Sequence, residues 1–201
     1  MIKFIGIVGT NSTQSTNRQL LQFMEQHFTQ AEIEVVEIKD LPMFNKPTDH
    51  TLPDAVQTLA NKIEMADGVI ISTPEYDHAI PAALMNALSW LSYGIYPFVD
   101  KPVMITGASY GTLGSSRAQA HLRQILDAPE LKARIMPSSE FLLGHSLQAF
   151  DENGQLKDTE QIKQLEALFT DFLNFVEIMK HLTQSHESNL EAAKNFSWEQ
   201  L

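Results

Sequence analysis

Nine residues, Gly9-Thr10-Asn11-Ser12-Thr13-Gln14-Ser15-Thr16-Asn17, separate an apolar run from a helical pattern. Strand, polar loop, helix is the arrangement an anion site needs. The first turn of a helix carries unpaired N–H donors and the positive end of its dipole. Ser and Thr hydroxyls add donors that rotate toward phosphate oxygens. The Gly-Lys-Ser/Thr ending of a triphosphate loop is missing, as are the second and third glycines of a dinucleotide fingerprint. Those absences point to a monophosphate. The competing reading is a local helix cap with no ligand, which the same residue types also favour.

Two more stretches carry chemistry. Pro74-Glu75-Tyr76-Asp77-His78 sets a rigid Pro, an aromatic ring and hydrogen-bonding side chains at a strand exit. Gly107-Ala108-Ser109-Tyr110-Gly111 places small residues around one aromatic, and its glycines let the backbone approach a flat ligand. Each alone reads as an ordinary turn. Together the three loops offer phosphate donors at one end and two walls for a flat ring system further along.

The elements that must position these loops alternate along the chain. Strands are predicted at residues 2–8, 33–38, 68–73 and 102–107, with a weaker fifth between 133 and 143. Helices are predicted from residue 17 or so onward through Phe28, then over 53–65, 81–91, about 114–126 and 159–179. Strand and helix in alternation imply a parallel sheet covered on both faces. Five such strands suit the doubly wound order 2-1-3-4-5, whose ligands sit beyond the carboxyl ends of the strands. All three loops fall at that edge.

Composition narrows the class. The chain has 201 residues, 43% of them hydrophobic, enough for one core of ordinary size. Twenty-five acidic residues against 14 Lys plus Arg give a formal charge of -11, which disfavours nucleic acid and anionic membrane surfaces. With no Cys there is no disulfide, zinc-thiolate site or Cys nucleophile, and a cytoplasmic setting is compatible. The N-terminus reads as a strand rather than a signal peptide, and no segment reaches the roughly 18 apolar residues of a membrane span. The stretch 181–201 turns polar, with Leu190, Phe196 and Trp198 as isolated apolar residues. It reads as a frayed end, or as a short arm that docks on a partner subunit, the first being favoured.

These motifs resemble the NADPH-dependent FMN reductase family, which includes quinone and azo-dye reductases. The resemblance rests on Gly9, Thr10, Ser12, Ser15 and Asn17 after the first strand, and on Pro74-Glu75-Tyr76-Asp77 after the third. It continues through Asn86 and Trp90-Leu91-Ser92, then Gly107-Ala108-Ser109-Tyr110-Gly111, Gly114, Arg117-Ala118-Gln119 and His121-Leu122-Arg123. It covers residues 1–178, leaving 179–201 as a tail. It implies a flavodoxin-like three-layer sandwich and hydride transfer from NADPH or NADH through flavin N5 to a small acceptor: flavin, quinone, azo or nitro compound. It implies an FMN site built from Thr10, Ser12, Ser15, Thr16, Asn17, Pro74, Glu75, Tyr76, Asp77, Ser109, Tyr110 and Gly111. No catalytic side chain and no metal are then required, since the cofactor carries the chemistry. His78 and His121 are read as surface or packing residues.

The resemblance also implies a homodimer or a dimer of dimers, and the aromatic stretch Trp90, Leu91, Tyr93, Tyr96, Phe98 is the expected interface. An electron-carrier flavodoxin and a flavin-free binding module are the alternatives. Three departures bear on the site. Ser12 stands where the family often has Arg, which removes a charge-assisted phosphate partner unless Arg18 reaches back over the helix start. Asp77 replaces Asn, either facing the ring as a fixed negative charge or facing solvent. Tyr110 replaces a common Pro, either adding a stacking surface or partly blocking the nicotinamide.

Overall fold

The computed structural model describes residues 1–137, 140–182 and 185–196. Among the described residues six strands and six α-helices follow one another, alternating as expected as far as β5. They are β1 (Ile2–Val8), α1 (Thr16–His27), β2 (Ala31–Glu37), α2 (Asp54–Met65), β3 (Gly68–Ser72), α3 (Ala82–Trp90), β4 (Pro102–Ala108), α4 (Ser116–Leu126), β5 (Arg134–Ile135), β6 (Phe141–Leu143), α5 (Thr159–Lys180) and α6 (His186–Asn195). The sheet runs β2-β1-β3-β4-β5, with β6 also paired to β4, and every pairing is parallel. This is the predicted doubly wound order.

Alternation along each strand divides the core in two, as a period of 2 requires. Ile5, Ile7, Val69, Ile71, Val103 and Ile105 face one side and pack on Leu59, Ile63, Leu84, Leu88, Leu122 and Leu126 of α2, α3 and α4. Phe4, Val8, Ile70 and Met104 face the other and meet Leu20, Leu21 and Met24 of α1 and Phe169, Phe172 and Val176 of α5. Phe28 stacks on Phe169 with ring centroids 3.9 Å apart, and Phe4 meets Phe172 at 4.9 Å. Each such fully buried ring contributes about 2–3 kcal/mol of burial.

Three features depart from the expectation. The weak strand at 133–143 is two short pieces, β5 and β6, each paired with β4. Residues 138–139 between them lie outside the described residues. Four of the five residues expected at an interface are instead used within the chain, and Tyr96 is half-buried. Trp90, Leu91, Tyr93 and Phe98 are buried. Trp90 Nε1 donates to the Pro42 carbonyl at 2.7 Å and the Tyr93 hydroxyl to that of Pro47 at 2.9 Å. They close the core beneath the 40–50 loop, because an aromatic with a polar handle can hold a loop carbonyl while burying its ring.

The third departure is the tail, whose described part holds the helix α6 rather than a frayed end; Trp198 lies outside the described residues. Asp100 fastens it. Its carboxylate accepts from Asn189 Nδ2 at 2.9 and 3.0 Å and from His186 Nδ1 at 3.1 Å, and pairs with Arg134 at 2.6 Å. Burial pushes Asp100 up, but the hydrogen bonds from Asn189 and His186 and the charge of Arg134 outweigh it and hold the carboxyl below its ordinary range. A lowered folded value stabilises docking fully above the ordinary Asp value of about 3.9, and the contribution is lost as pH falls through the folded value. Hydrogen exchange of residues 186–195 is therefore expected to lose protection on acidification before the sheet does. An Asp100→Asn variant is expected to show weaker protection already at neutral pH; equal protection in both proteins contradicts this role.

Candidate active site

The strand registers bring the loop-bearing ends together. Val8 pairs with Ser72, Ser72 with Thr106, and Ala108 with Leu143, so the exits of β1, β3, β4 and β6 share one edge. A cavity of about 470 Å³ opens there. It is lined by Thr10, Ser12, Ser15, Thr16, Asn17, Pro74, Glu75, Tyr76, Ser109, Tyr110 and Gly111, eleven of the twelve residues singled out from sequence. Gln14, Ala108, Thr112, Leu113 and Arg117 complete the lining. Of these, Gln14 sits inside the noted loop and Arg117 inside the noted motif; Thr112 and Leu113 carried no signal.

Asp77 is the exception and is absent from the lining. Tyr76 and Ala79 exchange both main-chain hydrogen bonds, at 3.0 and 2.9 Å, and close a hairpin around Asp77 (φ 50°) and His78 (φ 67°). Two consecutive left-handed residues are the signature of a tight I′ turn, which selects Asn-Gly. Asp77 is therefore a turn residue at the hairpin tip. Replacing Asp77-His78 by Asn-Gly is expected to raise stability by about 1 kcal/mol in urea denaturation, by relieving left-handed strain.

The loop after β1 is organised by α1. Ser15 is extended and its Oγ accepts the Arg18 N–H at 3.2 Å, which fixes where the helix starts. Among the described residues, no protein acceptor meets the main-chain N–H groups of Gln14, Ser15, Thr16 or Asn17. Four donors thus stand at the positive end of a helix on the cavity wall.

Asn17 does something else with its side chain. It is buried, and its Oδ1 accepts the Ala108 N–H and the Ser72 hydroxyl, both at 2.9 Å, while Nδ2 donates to the Ala108 carbonyl at 2.9 Å. The side chain ties the first turn of α1 to the ends of β3 and β4. Thr10 and Tyr76 share a hydroxyl hydrogen bond of 3.2 Å between the first two loops, and Thr16 and Ser146 share one of 2.8 Å. The 144–146 segment is the support that sequence reading missed: His145 N–H donates to the Gly111 carbonyl and Ser146 N–H to that of Ser109.

Charge at the site is arranged in closed pairs. Arg18 does reach back over the helix start, donating to the carbonyls of Ser12 at 3.0 Å and Thr13 at 3.3 Å. Its Nε and a terminal nitrogen are held by Glu37, at 2.5 and 2.9 Å. That hydrogen bond pushes the guanidinium above its already high value, against burial. Glu37 is placed there by the register that pairs it with Val8. Across the cavity, Glu75 accepts from Arg117 Nε at 2.7 Å and from the Arg117 N–H at 3.0 Å. It thereby caps α4 from outside, where Ser115 offers no side-chain cap.

Residues 2–148 match the sequence profile of the family described as NADPH-dependent FMN reductase. The chain belongs to that family. It is 54% identical over 199 residues to the NADH:(hydroxy)cinnamate reductase subunit CrdA of Vibrio ruber, covering 98% of both chains. It is 46% identical over 183 residues to the NADH-dependent flavin reductase subunit 2 of Lactobacillus johnsonii, covering 88% of this chain and 98% of the relative. The solved structure of FerB, a flavoenzyme NAD(P)H:(acceptor) oxidoreductase from Paracoccus denitrificans, superposes with a TM-score of 0.79. That match has 26% identity and covers 89% of this chain and 99% of FerB. As a member of the FMN reductase family the chain is an FMN-dependent NAD(P)H oxidoreductase acting on small acceptors, and the flavodoxin-like fold read from its motifs is the fold observed.

Proposed function

We propose that the cavity at the carboxyl edge of the sheet is where this enzyme holds FMN, with the phosphate at residues 12–17 and the ring framed by the loops after β3 and β4. The observation that carries the reading is the row of four unpaired N–H groups on Gln14 to Asn17, residues that line a cavity also lined by Tyr76, Tyr110 and Gly111. The donor chemistry fits the cofactor: N–H groups and hydroxyls at one end, exposed aromatic surface at the other. A Cβ added at Gly111 would meet nothing within 4 Å, so the wall there is open.

Bound FMN supplies a two-electron relay from nicotinamide to acceptor. The chain supplies position. Asn17 locks the helix start against Ala108, so the phosphate end and the ring end keep a fixed separation. Thr10 and Tyr76 hold the first two loops together. Glu75 fixes the Arg117 side chain at the cavity rim. No side chain need move a proton, and His78 and His121 stand aside: His78 is in the hairpin turn and His121 Nδ1 accepts the Ile80 N–H at 3.4 Å.

The acceptor is a small electrophile such as a flavin, quinone, azo or nitro compound, and NADH is the better donor. Arg117 is the single cation lining the cavity among the described residues, and Glu75 already holds it, which leaves little for a 2′-phosphate. The setting is cytoplasmic; no helix among the described residues is long and apolar enough to cross a membrane. The assembly is a homodimer or dimer of dimers. A groove of about 420 Å³ between α3 and α4, lined by Phe44, Met85, Leu88, Ile125 and Leu131, supports a face that a second copy covers.

Anaerobic addition of NADH to the FMN-loaded protein tests the reading. Direct bleaching of the flavin is expected, faster with NADH than with NADPH. No bleaching without an auxiliary enzyme contradicts it and favours an electron carrier.

A further inference from the structure

We infer that this site grips its flavin by the ring more than by the phosphate, so that riboflavin binds nearly as well as FMN. The inference rests on the flavin reading above and concerns the charge of the loop after β1.

That loop carries no free positive charge. Arg18, the cation closest in sequence, gives Nε and Nη2 to Glu37, while Nη2 also meets the Ser12 carbonyl and Nη1 the Thr13 carbonyl. It does not line the cavity. Ser12, at the position where an Arg would meet the phosphate, donates its hydroxyl to the Gln14 carbonyl at 2.9 Å. The hydroxyls of Thr10 and Thr16 are shared with Tyr76 and Ser146.

A phosphate dianion leaving water needs charge-assisted partners to recover its hydration. Here it meets main-chain N–H groups and neutral hydroxyls but no free cation, inside a chain of formal charge -11. Helix-end donors offset its desolvation without a large surplus, because a helix terminus contributes only about 0.5 of a unit charge. The neutral ring end is untouched by this deficit. Glu37 is the residue responsible, since the β1–β2 register that sets it beside Val8 also sets it on Arg18.

Flavin-free protein titrated separately with FMN and with riboflavin, followed by quenching of ring fluorescence, reads this directly. The two dissociation constants are expected to agree within about tenfold. FMN affinity is expected to hold or rise between about 0.02 M and about 0.5 M NaCl, because salt screens the repulsion from an acidic chain. A Glu37→Gln variant, which frees the Arg18 charge while keeping an acceptor, is expected to tighten FMN by about tenfold and leave riboflavin unchanged. FMN binding more than about tenfold tighter than riboflavin, with affinity that falls as salt rises, overturns the inference and leaves the flavin site intact. An unchanged FMN affinity in Glu37→Gln overturns the assignment to that residue. Binding of neither flavin contradicts the site itself.

Discussion

Asn17→Ala is expected to remove about 4 kcal/mol of stability and to abolish tight flavin binding together. Truncation leaves the Ala108 N–H, the Ala108 carbonyl and the Ser72 hydroxyl without partners, and all three are buried. Each orphaned buried group costs about 1–3 kcal/mol, which puts the sum among the larger single-residue effects. For a chain of this size that lowers Tm by on the order of 10 °C. The flavin effect has a separate cause. Asn17 is the direct link between the helix that carries the phosphate donors and the strand that carries the ring-facing loop. Urea denaturation reads the first effect and fluorescence titration the second. A variant that loses stability but binds flavin normally shows that the clamp supports the fold without setting the site. A loss below about 1 kcal/mol contradicts the clamp altogether.

The second large effect is at Gly107. A Cβ there would lie 1.8 Å from Ser115 Oγ, 2.6 Å from the Thr73 carbonyl oxygen and 2.9 Å from Gln119 Nε2. The Thr73 carbonyl is main chain and the Gln119 side chain is buried and engaged with the Phe141 carbonyl, so neither can step aside freely. Overpacking of this kind costs about 1–3 kcal/mol, and Gly107→Ala is expected at the upper end. The glycine therefore serves the packing of β4 on α4, whereas the sequence suggested an approach to a ligand. Ser115 offers a check, because it sits at φ 69° and supplies the nearest clashing atom. Adding Ser115→Gly to Gly107→Ala removes that atom and relaxes a left-handed residue. The pair is expected to recover about 1 kcal/mol by non-additivity, seen in a double-mutant cycle. Strict additivity contradicts the contact.

What could be read from sequence follows from what is local. The strands β1, β3 and β4 and the helices between them announce themselves by period, and the strand order follows from their alternation. The loops at the carboxyl edge were legible as residue types, which is why eleven of twelve proposed positions line one cavity. Partners were not legible. Asn17 reads as a cap or a phosphate donor until its side chain is seen to reach Ala108, 91 residues away. Arg18 reads as a rescuer of the missing cation at position 12 until the β1–β2 register presents Glu37. Asp77 reads as a ring contact, and only the paired left-handed angles show a turn. The aromatics from Trp90 to Phe98 read as an interface because their covering, the 40–50 loop, has no pattern of its own. The piece at 133–143 reads as one strand because two short pairings with the same neighbour share one apolar stretch.

The position of the bound flavin is the decisive observable. A crystal structure of the protein grown with excess FMN tests it most directly. Density is expected in the cavity at the carboxyl edge, with phosphate oxygens against the N–H groups of residues 14–17 and the ring between the Tyr76 and Tyr110 loops. An empty or side-chain-filled crevice under saturating FMN, or flavin bound at another surface, would contradict it.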